Sequence, residues 1–73
     1  MYKIKIENAK ELKDGRSLRK ISEIIGVTEQ YLSKVFNQKS ECSKTIVISL
    51  ISIKKKVSVN DEQMEDYIRY YFE

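Results

Sequence analysis

Hydrophobic and polar positions change period along the chain, and each change marks out an element. The first six residues alternate, with Tyr2, Ile4 and Ile6 set against Lys3 and Lys5. Period two is the mark of a short strand or extended arm. From about Asn8 the spacing becomes helical, with Ala9 and Leu12 inward, and Gly15 is placed to stop that helix. Ser17 reads as an N-cap, and Leu18, Ile21, Ile24 and Ile25 then recur on one face of a helix over residues 18–25. Gly26 ends it and offers the positive φ that a sharp turn needs. Val27 points back to the core, and Thr28 caps a further helix whose Leu32, Val35 and Phe36 face inward. The opposite face of that helix carries Gln30, Lys34 and Asn37 at i, i+4 and i+7, all polar and long-armed.

The segment from Thr45 to Val57 sets two signals against each other. Its β-branched residues favour a strand by propensity. Alternation fails, however, because each face of such a strand mixes apolar residues with Ser, Thr or Lys. On a helix, Ile46, Leu50, Ile53 and Val57 form one apolar stripe that Val47 and Ile51 widen. Ser43 stands at the N-cap position, and Lys54, Lys55 and Lys56 complement the dipole at the other end. The pattern predicts a helix. A last helix follows, opened by Asn60, Asp61 and Glu62 and striped by Met64, Tyr67, Ile68, Tyr71 and Phe72. The elements together predict an all-α domain of five helices with a short N-terminal strand or arm.

Length changes the picture by limiting it. The 73 residues make one domain, spanning residues 1–73, with a core worth about 3–5 kcal/mol of net stability and little room for an enclosed catalytic cleft. Hydrophobic residues at 41% and charged residues at 34% are too apolar a mix for disorder and too polar for a membrane protein. The N-terminus lacks the apolar stretch of a signal peptide, and the lone Cys42 has no disulfide partner within the chain. The expected location is the cytoplasm. No His is present, no Cys/His cluster can bind zinc, Cys42 has no evident base, and no phosphate-binding glycine loop appears. Neither a catalytic site, a cofactor nor a metal is expected.

Charge adds a direction. Residues 1–56 hold 13 Lys and Arg against 6 Asp and Glu, a net +7, while residues 57–73 hold Arg69 against five acids, a net −4. A polyanion would approach the first part and avoid the second.

The stretch from Ser17 to Phe36 resembles the helix-turn-helix of the Cro and repressor family. The agreement rests on Gly26, Val27, Thr28, Leu32, Ser33 and Val35 at their fixed offsets, and the Val57-Ser58-Val59 step resembles the link before the last helix of phage repressor domains. The sequence departs from the family at Leu18, commonly a phosphate-holding Gln, at Ser22, usually Ala, at Glu29, and at Gln38, where Gly is common. The resemblance implies a repressor-like fold and a transcription regulator of a phage or mobile element. A recognition helix of roughly residues 29–37 would enter the major groove of double-stranded DNA.

On that reading Gln30 and Asn37 are placed to bond adenine and Glu29 to accept from a cytosine amine, while Lys34 and Lys39 face phosphate or base edges. Ser17, Arg19 and Ser33 complete the DNA-facing set, with Thr28 more cap than contact and Tyr31 divided between stacking on DNA and covering the N-terminal helix. The Lys54–Lys56 run reads as a solvated helix end more than as a phosphate clamp. Met64, Tyr67 and Tyr71 read first as core; with Phe72 they also offer a homodimer face, because the tail holds more aromatics than a small core needs, and on a mixed reading Tyr67 lies in the core and Tyr71 nearer a partner. The rival reading is a protein-interaction module on the same scaffold, such as an antirepressor or an inhibitor of a nuclease or repressor.

Overall fold

Helix α1 spans Ile6–Lys13, α2 Leu18–Ile25, α3 Glu29–Phe36, α4 Lys44–Lys55 and α5 Asp61–Tyr71 in the computed structural model, which describes residues 1–55 and 60–73. The expectations for Lys56 and for Val57, Ser58 and Val59 fall outside the described residues. The fold is all-α, and its described residues contain no strand longer than an isolated bridge. Among the described residues no helix is long and apolar enough to cross a membrane.

Helices α2, α3 and α5 each start at a side-chain cap. Ser17 Oγ accepts from the Lys20 N–H at 3.1 Å, Thr28 Oγ1 from the Tyr31 N–H at 3.1 Å, and Asn60 Oδ1 from the Gln63 N–H at 2.8 Å. Gln63 returns the favour through its own carbonyl, completing a capping box. Helix α2 stops at Gly26, which sits at φ 78°. Helix α1 corrects the sequence reading at both ends. It begins at Ile6 rather than Asn8, and it is Asp14, at φ 54°, that turns the chain before Gly15. A short polar side chain tolerates the left-handed region better than most.

The ambiguous fourth segment is a helix, and the reason is its surroundings. Val47, Leu50 and Ile51 are fully buried and Ile46 and Ile53 pack on the same core. Helix α4 packs against α1, α2 and α5, so its apolar stripe faces three partners. A helix that broad in its apolar face gains more from packing than its β-branched residues lose in propensity. Lys54 at its end pairs with Asp14 at 3.3 Å, tying the α1 terminus to α4.

The N-terminal residues form an arm held by backbone bonds on both sides. Tyr2 exchanges two hydrogen bonds with Cys42, at 2.9 and 2.8 Å, while the Lys5 N–H donates to the Tyr71 carbonyl at 2.8 Å and the Glu73 N–H to the Lys3 carbonyl at 2.7 Å. Period two therefore reads correctly over Tyr2 and Ile4, with Ile4 fully buried. It fails at Ile6, half exposed because the chain has already turned helical there. Ile24, expected inward, is likewise half exposed, and Ser22 takes the buried place instead with its hydroxyl donating to the Arg19 carbonyl at 2.7 Å.

The aromatic tail is core. Tyr71 and Phe72 are 1% and 2% exposed, packed with Ile4, Leu12 and the α4 residues. Neither can present itself to a second subunit, so the expected homodimer face through Met64, Tyr67, Tyr71 and Phe72 is reduced to the half-buried Met64 and Tyr67. The core is larger than the helix stripes alone suggest because the arm folds back onto the C-terminal end, and Ile4 pairs there with Phe72.

Candidate nucleic-acid interface

Helices α2 and α3 pack chiefly on each other, joined by the three residues Gly26, Val27 and Thr28. The Gly26 and Val27 N–H groups both close on the Ser22 carbonyl, at 2.9 and 3.3 Å. Two carbonyl-bound amides in succession make a tight corner, and the Thr28 cap starts α3 immediately after it. Leu32 and Val35 are fully buried and Phe36 nearly so. Three anchors on one side fix the rotation of α3 about its axis, which decides what its other side shows.

That other side shows Gln30, Ser33, Lys34, Asn37 and Lys39 lining one shallow groove of about 300 Å³. Half of the ten sequence-expected residues are thus gathered in one place. Among the described residues no carboxylate lines it, and two of these five are lysines. Glu29 is exposed at the first turn of α3 but does not line the groove.

The remaining expected residues have other employment. The Ser17 and Thr28 hydroxyls are engaged as caps, and Arg19, largely exposed at the start of α2, pairs with Glu23 at 3.6 Å. Tyr31 is half-buried against the core, and burial, followed by the nearby Cys42, raises its phenol above the ordinary value. Asn37 bends its amide back to the Ser33 carbonyl at 2.8 Å, capping the end of α3, so reading a base would require it to exchange that bond.

The structure adds side chains that periodicity did not single out. Lys10 and Lys13, one turn apart on α1, line a second groove together with Ile6, Leu18, Phe36 and Asn37, so it meets the α3 groove at Asn37. Lys3 lines a third with Gln38, Lys39, Ser40 and Glu41. The spacing of Lys10 and Lys13 was available in the sequence; their approach to α3 required the tertiary packing.

Gln38 accounts for one of the departures noted above. It sits at φ 61°, the conformation a glycine would take, and its Nε2 donates to the Ile4 carbonyl at 2.6 Å. The side chain gives a bond to the arm in exchange for a strained backbone, which a glycine cannot do.

No family model, curated protein or solved structure matches the chain. What α2 and α3 can bind is therefore decided by their own residues and geometry.

Proposed function

We propose that the protein is a sequence-specific DNA-binding regulator of transcription, of the kind that phages and mobile elements use as repressors, and that α3 enters the major groove. The observation that carries this reading is the α3 groove, where Gln30, Ser33, Lys34, Asn37 and Lys39 stand together with no carboxylate among them. Amides read adenine bidentately, while lysines and hydroxyls serve guanine or phosphate. The apolar side of α3 is wholly committed to the core, so this face has no packing role to explain it. A regulator of this kind works on the nucleoid, in the cytoplasm. One copy covers few base pairs, so two copies on half-sites about 34 Å apart are expected.

Selection from random duplex DNA, followed by binding titrations with the enriched duplex, tests the proposal. Affinity should fall steeply with salt, by a slope of about 0.9 per phosphate contacted. Gln30→Ala should cost about 1–3 kcal/mol and relax preference at one base pair. Lys34→Ala should weaken binding as well. The proposal fails if no duplex is enriched, or if both variants bind every sequence as the parent does. A protein partner with an apolar contact would instead be captured with little salt dependence.

A further inference from the structure

The cleft between α1 and α5 has the opposite chemistry to the α3 groove. Helix α5 packs on α1 and α4, whereas α3 packs chiefly on α2. The cleft has a volume of about 360 Å³ and is lined by Glu11, Asp66, Tyr67, Tyr70 and Tyr71. Among the described residues no lysine or arginine lines it, and residues 60–73 carry a net −4.

Its parts are held in place. The Tyr70 hydroxyl donates to Glu11 Oε2 at 2.9 Å, and the Tyr71 hydroxyl approaches Oε1 at 3.5 Å. The two rings meet edge to face, with centroids 4.8 Å apart and planes at 86°. Glu11 is thereby fixed as an exposed carboxylate, although glutamate is ordinarily a mobile surface side chain. Tyr70 is 47% exposed, unlike Tyr71 behind it, so an aromatic ring is left facing water. Asp66 already pairs with Arg69, which leaves Glu11 as the principal anion of the cleft.

We propose that this cleft binds an arginine side chain carried by a basic segment of a partner protein. A guanidinium is planar, weakly hydrated and doubly hydrogen-bonding, so it can lie on tyrosine faces while meeting a carboxylate; an ammonium is more strongly hydrated and lacks the plane. An apolar segment would have to desolvate Glu11 and Asp66, and the phosphate backbone of DNA would be repelled by both. Among the described residues no group of three or more acids, cysteines or histidines gathers to hold a metal ion. The proposal is independent of what α3 binds.

The test is a nuclear magnetic resonance titration of the nitrogen-labelled full-length protein with acetyl-Ala-Arg-Ala-amide, repeated with neutral citrulline in place of arginine. The arginine peptide should give saturating shifts confined to Glu11, Asp66 and the three cleft tyrosines, and the citrulline peptide should not. Glu11→Gln should weaken binding about tenfold, since it removes the charge at an exposed position. Tyr70→Leu keeps apolar bulk at an exposed site while removing the ring, and should weaken binding by about two- to fivefold. Equal shifts from the citrulline peptide would overturn the proposal. So would parental affinity in both variants, each confirmed folded by circular dichroism. Shifts of the cleft signals with protein concentration alone would assign the cleft to a second copy and overturn it too.

Discussion

At the scale of the residue, two backbone positions with positive φ carry much of the geometry around α3. Gly26, at φ 78°, sets the corner that aims the helix, and a Cβ built there would meet nothing within 4 Å. Any penalty for substitution is therefore backbone strain alone. For a β-branched residue that is about 1–2 kcal/mol or more, whereas Asn would cost less. Gly26→Val should lower the melting temperature by about 4–8 °C for each kcal/mol, and Gly26→Asn by less; calorimetry of both decides it. Should α3 bind DNA as proposed, the same Val variant should lose duplex affinity, because a shifted corner misaims α3. Gln38 presents the converse case. Gln38→Gly relieves strain but removes the bond to Ile4, so denaturant titration should find it near neutral. Gln38→Ala keeps the strain and loses the bond, and should cost about 1 kcal/mol.

At the scale of the element, α2, α3 and α5 were legible because cap and apolar spacing agree in them. Ser17, Thr28 and Asn60 cap where their side chains and the following stripes say they should. Even the segment from Thr45 to Val57, described as helix to Lys55, was legible once alternation failed, although its buried centre of Val47, Leu50 and Ile51 lies to one side of the expected stripe. The arm itself was legible in its alternation; what was not legible was where it pairs, because its partners are far away in sequence: Cys42 on one side, Tyr71 and Phe72 on the other. The α3 groove was readable from one helix face, but the added lysines of α1 depend on how helices meet.

The arm has a pH consequence. Burial pushes the Cys42 thiol from its ordinary value of 9.0 up to about 11. Burial, then the Glu11 charge, pushes the Tyr71 phenol from 10.0 to about 12. Both folded values are raised, so the unfolded chain gives up its protons first as pH rises. The stability they contribute is complete below about pH 9. It drains through about 11 for Cys42 and about 12 for Tyr71. Urea midpoints should therefore drop between about pH 9 and about pH 12, and Cys42→Ala should flatten the earlier part of that fall. A midpoint unchanged across that span would contradict the burial of both groups.

At the scale of the whole molecule, both chain ends close one core, and this decides what the aromatic tail does. Ile4 from the arm, Tyr71 and Phe72 from the end of α5, and Leu12 from α1 are buried in the same cluster. Truncating a buried large aromatic costs about 3–5 kcal/mol, which equals the whole stability expected of a domain this small. Tyr71→Ser should therefore be largely unfolded. Tyr67, half-buried at the edge of the same cluster, should lose less than about 2 kcal/mol on the same change and stay folded. Sedimentation and circular dichroism over a range of protein concentrations separate a core role from an interface role. An interface residue yields a folded species whose mass falls while its helicity persists. A core residue yields lost helicity at every concentration, because the damage lies within one chain and mass action cannot repair it. Tyr71→Ser should follow the second course. A Tyr71→Ser protein that kept its helicity, and differed from the parent only in mass, would place Tyr71 at a subunit boundary and contradict the packing described here.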